Sequence, residues 1–183
     1  IQKYSGYVQD NIRLGDSSKN ISLQAGVRYN YNSLNKEFLI SPRAQLSFKP
    51  NWKKDIVFNI AAGSYNQPPF YRELRNYDAV LNTDIKAQRS YQVVARFNYN
   101  FKVDKTKPFR LTAEAYYKSM RNVNTYDIDN VKIKYSGTNN AKAYTTGFEA
   151  RLFGELVKDA ESWISVGFMR SRENLDNDIF YQY

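Results

Sequence analysis

The chain has 183 residues, with 27 Lys and Arg against 18 Asp and Glu and a formal charge of +9. It contains neither cysteine nor histidine. That removes disulfides, thiolate metal sites, imidazole bases and any Ser-His triad within these residues, and weakens the case for an enzyme. Mean hydropathy is −0.68, and no run approaches the roughly 18 apolar residues of a membrane helix.

The first strand expected is Tyr4–Leu14, closed by the turn signal Gly15-Asp16-Ser17-Ser18. Asp10 falls on its apolar face, so a bulge that flips the phase is expected there. Next comes Ile21–Asn32, in which Ile21, Leu23, Ala25, Val27, Tyr29 and Tyr31 alternate with Ser22, Gln24, Gly26, Arg28, Asn30 and Asn32. Successive strand side chains point to opposite faces, so this pattern describes a sheet with one apolar and one polar side. Strands of soluble proteins usually run about 5–6 residues. A strand crossing a bilayer at a tilt needs roughly 9–11, and this one is long enough.

Phe38–Phe48 repeats the pattern, with Pro42 inside it; proline cannot donate to a ladder, so a bulge is expected at that point. Ile56–Gln67 follows a turn at Lys49-Pro50-Asn51, and a long irregular stretch then runs to about Ile85. Ala87–Phe101 alternates as cleanly as the second strand. Phe109–Arg121 follows the turn Val103–Pro108, and a second long loop covers Asn122 to about Lys142, with alternation at Val131–Tyr135 suggesting its own small hairpin. Tyr144–Leu156 and Trp163–Ser171, joined near Lys158-Asp159-Ala160-Glu161, complete about eight long strands.

Connections alternate in length: short near 15–20, 49–55, 102–108 and 157–161, long near 67–86 and 122–142, with 33–37 the exception. Short turns on one side and long loops on the other mark an antiparallel transmembrane β-barrel whose short turns are periplasmic. Aromatics make up 16% of the chain. Under this topology Phe48, Trp52, Phe101, Phe109 and Trp163 gather at the periplasmic end as a membrane-interface girdle. A basic side chain facing lipid at mid-bilayer costs about 2–4 kcal/mol. Accordingly Arg28, Arg43, Arg96, Arg110 and Arg151 all lie mid-strand on the polar phase. Arg89, Arg121, Lys142 and Arg170 fall on the outward phase, the first three at strand ends near the long loops; there they meet either solvent or the phosphates of outer-leaflet lipid.

The sharpest local motif is Gln67-Pro68-Pro69-Phe70-Tyr71-Arg72-Glu73-Leu74-Arg75. Tyr71, Arg72 and Arg75 are the ligand-contact candidates on this loop, against a purely anchoring role for the same residues at the rim. In the lumen Arg28, Arg43, Tyr65 and Arg96 are the candidates. They either attract an anionic substrate or pair with acidic groups on a plug. Asp127-Ile128-Asp129-Asn130 and Asp176-Asn177-Asp178 are acidic clusters, but neither has the spacing of an EF-hand, and no metal or other cofactor is expected.

Tyr7-Val8-Gln9-Asp10 with Asn11-Ile12-Arg13-Leu14 resembles a strand of TonB-dependent outer-membrane receptors. Gly26-Val27-Arg28-Tyr29, Ser41-Pro42-Arg43, Gln67-Pro68-Pro69-Phe70-Tyr71-Arg72-Glu73 and Ala113-Glu114-Ala115-Tyr116-Tyr117-Lys118 are similar to Bacteroidetes members carrying a carboxypeptidase-regulatory-like domain. The resemblance extends over nearly the whole of 1–183. It implies part of a 22-stranded barrel in the outer membrane of a Gram-negative bacterium, with a plug and other N-terminal domains absent from this chain. It also implies uptake of a scarce nutrient, energy from a TonB–ExbB–ExbD complex, contact with outer-membrane lipid, and no catalytic residues. A surface lipoprotein is a further partner the resemblance allows. The nutrient stays open among iron chelates, cobalamin, sugars and peptides.

Two other classes are weighed. A closed eight-stranded barrel, serving as an anchor or passive pore, requires its first and last strands to pair. A soluble basic adhesin or nucleic-acid-binding β-domain requires its cations on one exposed face. Here they divide between polar phase, turns and loops, so nucleic acid is not an expected partner.

Overall fold

The computed structural model describes residues 2–14, 20–103, 107–157 and 160–176. The turn expected at 15–18, the middle of those expected at 103–108 and 158–161, and the second acidic cluster after Asp176 lie outside the described residues; Lys107 and Pro108 already belong to a strand, as do Ala160 and Glu161. β1 (Lys3–Leu14), β2 (Asn20–Asn32), β3 (Glu37–Lys49), β4 (Asp55–Gln67), β5 (Gln88–Val103) and β6 (Lys107–Val123) run in sequence. A small hairpin, β7 (Tyr126–Asp129) and β8 (Lys132–Tyr135), interrupts them before β9 (Ala141–Val157) and β10 (Ala160–Leu175). The large sheet has eight strands in the order β1-β2-β3-β4-β5-β6-β9-β10, each antiparallel to its neighbours, and the hairpin stands apart from it. The strands of this sheet are 12 to 17 residues long, well beyond soluble norms.

β1 and β10 are the two edges and do not pair with each other among the described residues. A closed eight-stranded barrel is therefore excluded, and the sheet is an arc of something larger. Its outward face carries Val8, Ile40, Ile60, Val93, Phe148, Val166 and Phe168, all substantially exposed, with Val8 at 77% and Phe168 at 69%. A soluble protein rarely leaves a continuous apolar face of this extent. A hydrocarbon layer covers it without penalty, and the ladders satisfy the backbone internally.

Two expected bulges are absent. β1 pairs with β2 without a break from Lys3↔Asn32 to Leu14↔Ile21, so Asp10 keeps the outward phase, opposite Ala25. Its carboxylate accepts the Asn11 amide at 2.8 Å, a donor that this edge strand would otherwise leave open. β2 and β3 likewise stay in register through Val27↔Pro42. The structure accommodates the proline differently: the β3–β4 ladder stops at Arg43↔Gly63, one residue short of it. Beyond that point the Asn66 amide bridges the gap, donating to the Ile40 carbonyl at 2.8 Å and the Ser41 hydroxyl at 2.9 Å.

The stagger of the sheet explains both charges in the outward phase away from strand ends. One ladder row runs Asp10, Ala25, Ala44, Ala62, Val93, Tyr117, Thr146, Arg170. Seven strand spacings of about 4.8 Å at a tilt near 40° raise one end of such a row roughly 20 Å above the other. The girdle gives the direction. It passes from Phe48, Phe58 and Phe97 in one row to Phe101 and Phe109 in a row nearer the short turns. A row therefore climbs toward the long loops as it approaches β10, placing Arg170 near the loop-side interface and Asp10 near the opposite one.

Most of the closed core lies where the long connections meet the loop-side ends of the strands, with Leu39 of β3 buried there as well. Leu74, Ile85, Ala87 and Ala141 are each 1–2% exposed. The two long connections lock together over one end of β4, β5, β6 and β9. The short link at 33–36 joins them, because Glu37 accepts the Ala87 amide at 2.9 Å and Asn35 donates to the Ile85 carbonyl at 3.2 Å.

Candidate functional site

Among the hollows on the polar phase of the sheet, two adjoining ones lie nearer the long loops and one lies toward the short turns. The larger of the adjoining two, about 380 Å³, is lined by Arg28, Tyr65, Gln67, Gln88, Gln92 and Lys118 among others, with no Asp or Glu in its wall. Arg28 comes from β2, Tyr65 and Gln67 from β4, Gln88 and Gln92 from β5, and Lys118 from β6. Strict alternation delivers all six to one face. A smaller hollow beside it, about 280 Å³, shares Tyr65 and adds Arg43 and Gln9. Arg43 donates to the Gln9 side chain at 2.9 Å.

The hollow toward the short turns, about 500 Å³, is lined by Arg96, Arg110, Glu114, Glu149, Arg151 and Phe153 among others. Arg96 faces Glu114 across the β5–β6 ladder, and its Nε and Nη2 approach the same carboxylate oxygen at 2.6 and 2.5 Å. Glu149 lies opposite Glu114 on the other side. The arrangement is a cation-rich network partly neutralised from within. Of the four lumenal candidates, Arg28, Arg43 and Tyr65 are thus brought together, while Arg96 belongs to a separate, internally paired cluster.

Phe48, Phe101 and Phe109 lie on the outward phase, where Phe101 stacks on Phe109 with ring centres 5.6 Å apart. Trp52, in the turn after β3, meets Phe58 edge-on at 6.2 Å. Trp163 departs from the expected girdle. It pairs with Phe153, which in turn pairs with Arg110, so it projects to the polar side. There the Arg151 guanidinium lies 5.7 Å from its ring centre, and 5.6 Å from that of Phe153. The cation holds both rings, while the outward neighbours Ile164 and Val166 take the lipid side.

Tyr71, Arg72 and Arg75 are exposed in the first long loop. Arg75 donates to the Tyr71 hydroxyl at 3.0 Å and lies 5.1 Å from its ring centre, so two of the three are prearranged, with Arg72 exposed beside them. The residue that organises them is Glu73, 6% exposed and not singled out by sequence reasoning. Its carboxylate accepts the Phe70 amide at 2.7 Å, and its carbonyl accepts the Asn124 side chain at 2.9 Å. Asn139 joins the loops again. It accepts the Lys86 amide at 2.7 Å and donates to the Lys86 and Asn122 carbonyls at 3.0 and 2.8 Å.

The expected hairpin in the second loop is present, turning through Asn130 and Val131 at φ 45° and 70°. Its acids are engaged. Asp127 accepts the Tyr77 hydroxyl at 2.8 Å, and this bond, with a little burial, holds the phenol above the ordinary tyrosine range. Asp129 pairs with Lys134 at 2.6 Å, holding that ammonium above the ordinary lysine range. Among the described residues no three carboxylates converge on a metal-sized gap.

With this geometry in hand, residues 1–180 match the family described as TonB dependent receptor-like, beta-barrel. The chain belongs to that family. Its members are outer-membrane receptors and transporters, not enzymes. Among solved structures the chain is similar to the copper transporter OprC, with a TM-score of 0.69 at 14% identity. The likeness covers 93% of this chain but only 29% of that one, so it establishes the fold and marks these strands as an arc of a larger barrel. No curated protein matches by sequence.

Proposed function

We propose that this chain is part of the barrel of a TonB-dependent receptor that takes up a scarce nutrient across the outer membrane of a Gram-negative bacterium, of the Bacteroidetes type with a carboxypeptidase-regulatory-like domain. Its lumen holds a plug supplied by another part of the same protein, and TonB–ExbB–ExbD supplies the energy. The observation that carries the uptake reading is the loop-side hollow, where Arg28 and Lys118 stand among side-chain amides with no opposing acid in the wall. Such a surface suits an oxygen-rich, negatively charged ligand. Tyr71, Arg72 and Arg75 make the first contact above it, and Arg43 and Arg96 line the path below, against acids of the plug. Exposed Phe70, Val80, Ile128 and Val131 at the loop tips offer apolar area to a surface lipoprotein.

The test is growth of a receptor-deletion strain and its parent on media limited in turn for iron chelate, cobalamin, peptide or glycan. Loss of growth on one medium, reproduced by loss of TonB, is expected. Equal growth on all opposes uptake. On the responsive medium, a Tyr71→Ala, Arg72→Ala, Arg75→Ala receptor should fail in proportion to lost binding. Full uptake by an assembled triple variant would reduce the trio to rim anchors.

A further inference from the structure

The loop-side rim of the outward face carries a cluster of cations, of which Arg89 alone also borders the loop-side hollow and donates to the Asn66 side-chain oxygen at 3.0 Å. Arg89 pairs directly with Arg121 across the β5–β6 ladder. On the next strand the register slips between Met120↔Ala143 and Val123↔Ala141, so Arg121 and Asn122 share the space opposite Lys142. Arg172 follows on β10, opposite Tyr144, and Arg170 lies two residues further along, opposite Thr146. All five cations are exposed. Like charges facing each other across a ladder repel. Yet the loop-side half of the outward phase on these four strands bears no carboxylate, and none of the five has an ion-pair partner among the described residues.

Beneath the cations comes a tyrosine layer. The Arg121 guanidinium lies 5.8 Å from the Tyr91 ring centre, and Tyr117 stacks on Tyr144 at 6.2 Å. Below that, Val93, Phe148 and Phe168 are bare. The order from loop to mid-sheet is therefore cation, tyrosine, hydrocarbon, which is the order of a lipid's headgroup, interface and chain. Arg89, Arg121 and Lys142 span two strand spacings, about 10 Å, enough for one headgroup to touch all three.

We infer that Arg89, Arg121, Lys142 and Arg172 form a binding site for the phosphate of a lipid headgroup in the loop-side leaflet, with Tyr91 and Tyr144 seating the top of its chains. The inference rests on the membrane reading of this face. The unpaired cations are then complemented from the bilayer, not from the protein.

The experiment uses the intact receptor in neutral detergent, titrated with fluorescent phosphatidic acid or phosphatidylcholine. The receptor should prefer phosphatidic acid by roughly tenfold or more, given the attraction of each basic side chain for an anionic lipid surface. Arg89→Gln, Arg121→Gln, Lys142→Gln and Arg172→Gln together should erase that preference. Lys53→Gln with Lys54→Gln, in a short turn at the other end, should leave it intact. A heat-modifiable quadruple variant that keeps the preference, or a wild type with none, overturns the site. If the quadruple variant does not assemble, wild-type protein still decides. The preference must shrink as salt rises from about 0.05 to about 0.5 M, and indifference to salt overturns it. Displacement of the lipid by millimolar inorganic phosphate would make the site one for free phosphate and overturn the lipid assignment. Wild-type receptor that is soluble and shows no heat shift refutes the membrane reading itself, a result distinct from loss of lipid preference alone.

Discussion

Tyr77 donates its hydroxyl to Asp127 across two loops 50 residues apart, and this bond ties a single proton to loop docking. Its folded pKa is raised, so the bond contributes stability that is fully present below the unfolded phenol value of about 10 and is lost as pH rises through the folded one. Tyr77→Phe should therefore make the hairpin loop more sensitive to protease at pH 8. The difference from wild type should vanish at pH values above the raised pKa, where wild type has lost the same bond. A constant difference across that range would show that the hydroxyl acts by packing and not by its proton. Val131, in the turn of the hairpin that carries Asp127, is 95% exposed at φ 70°, a conformation that a β-branched residue adopts only under constraint.

At the scale of elements, the strands were legible because their alternation is uninterrupted and a period of two admits one reading. Pro42 and Asp10 misled for opposite reasons. Each violates a local rule, and a bulge is the local remedy; the structure instead ends one ladder beside the proline and leaves the aspartate in phase. Trp163 was misplaced because its height was inferred from the turn, while its face depends on a register through Phe153 that no turn reveals. Glu73 and Asn139 were invisible because no sequence pattern shows which backbone groups a side chain meets: Glu73 accepts the nearby Phe70 amide while its carbonyl takes Asn124 from the other loop, and Asn139 bonds Lys86 and Asn122. Asn139 acts as a substitute strand segment, returning to Lys86 both bonds a ladder would have made. Asn139→Ala should strand the Lys86 amide and two carbonyls, costing about 1–3 kcal/mol of local stability. Hydrogen exchange at Lys86 and in the 124–140 loop should quicken, with exchange in β2 and β3 unchanged. Faster exchange throughout the sheet would mean that the loops hold the barrel arc together and do not merely rest on it.

For the whole molecule, the slope of the ladder rows decides which charges lipid tolerates. The row from Asp10 to Arg170 has acid at one end, cation at the other and only Ala, Val, Tyr and Thr between. If rows lay level with the membrane, both charges would sit at the depth of Ala62 and Val93, and each would cost as much as a charge introduced there. If rows climb toward β10, only the middle of the row is deep. Val93→Arg should then destabilise the barrel by about 2–4 kcal/mol, as a mid-bilayer arginine does. Arg170→Leu should change stability by no more than about 1 kcal/mol, as expected near an interface. Urea titration of the heat-modifiable form in bilayers measures both. A gain of several kcal/mol from Arg170→Leu would place that arginine in the hydrocarbon and reverse the assigned tilt. The same measurement on Asp10→Leu bears on the opposite interface. A small change there, together with a large one at Val93, fixes two depths on one row and hence the slope of the sheet in the membrane.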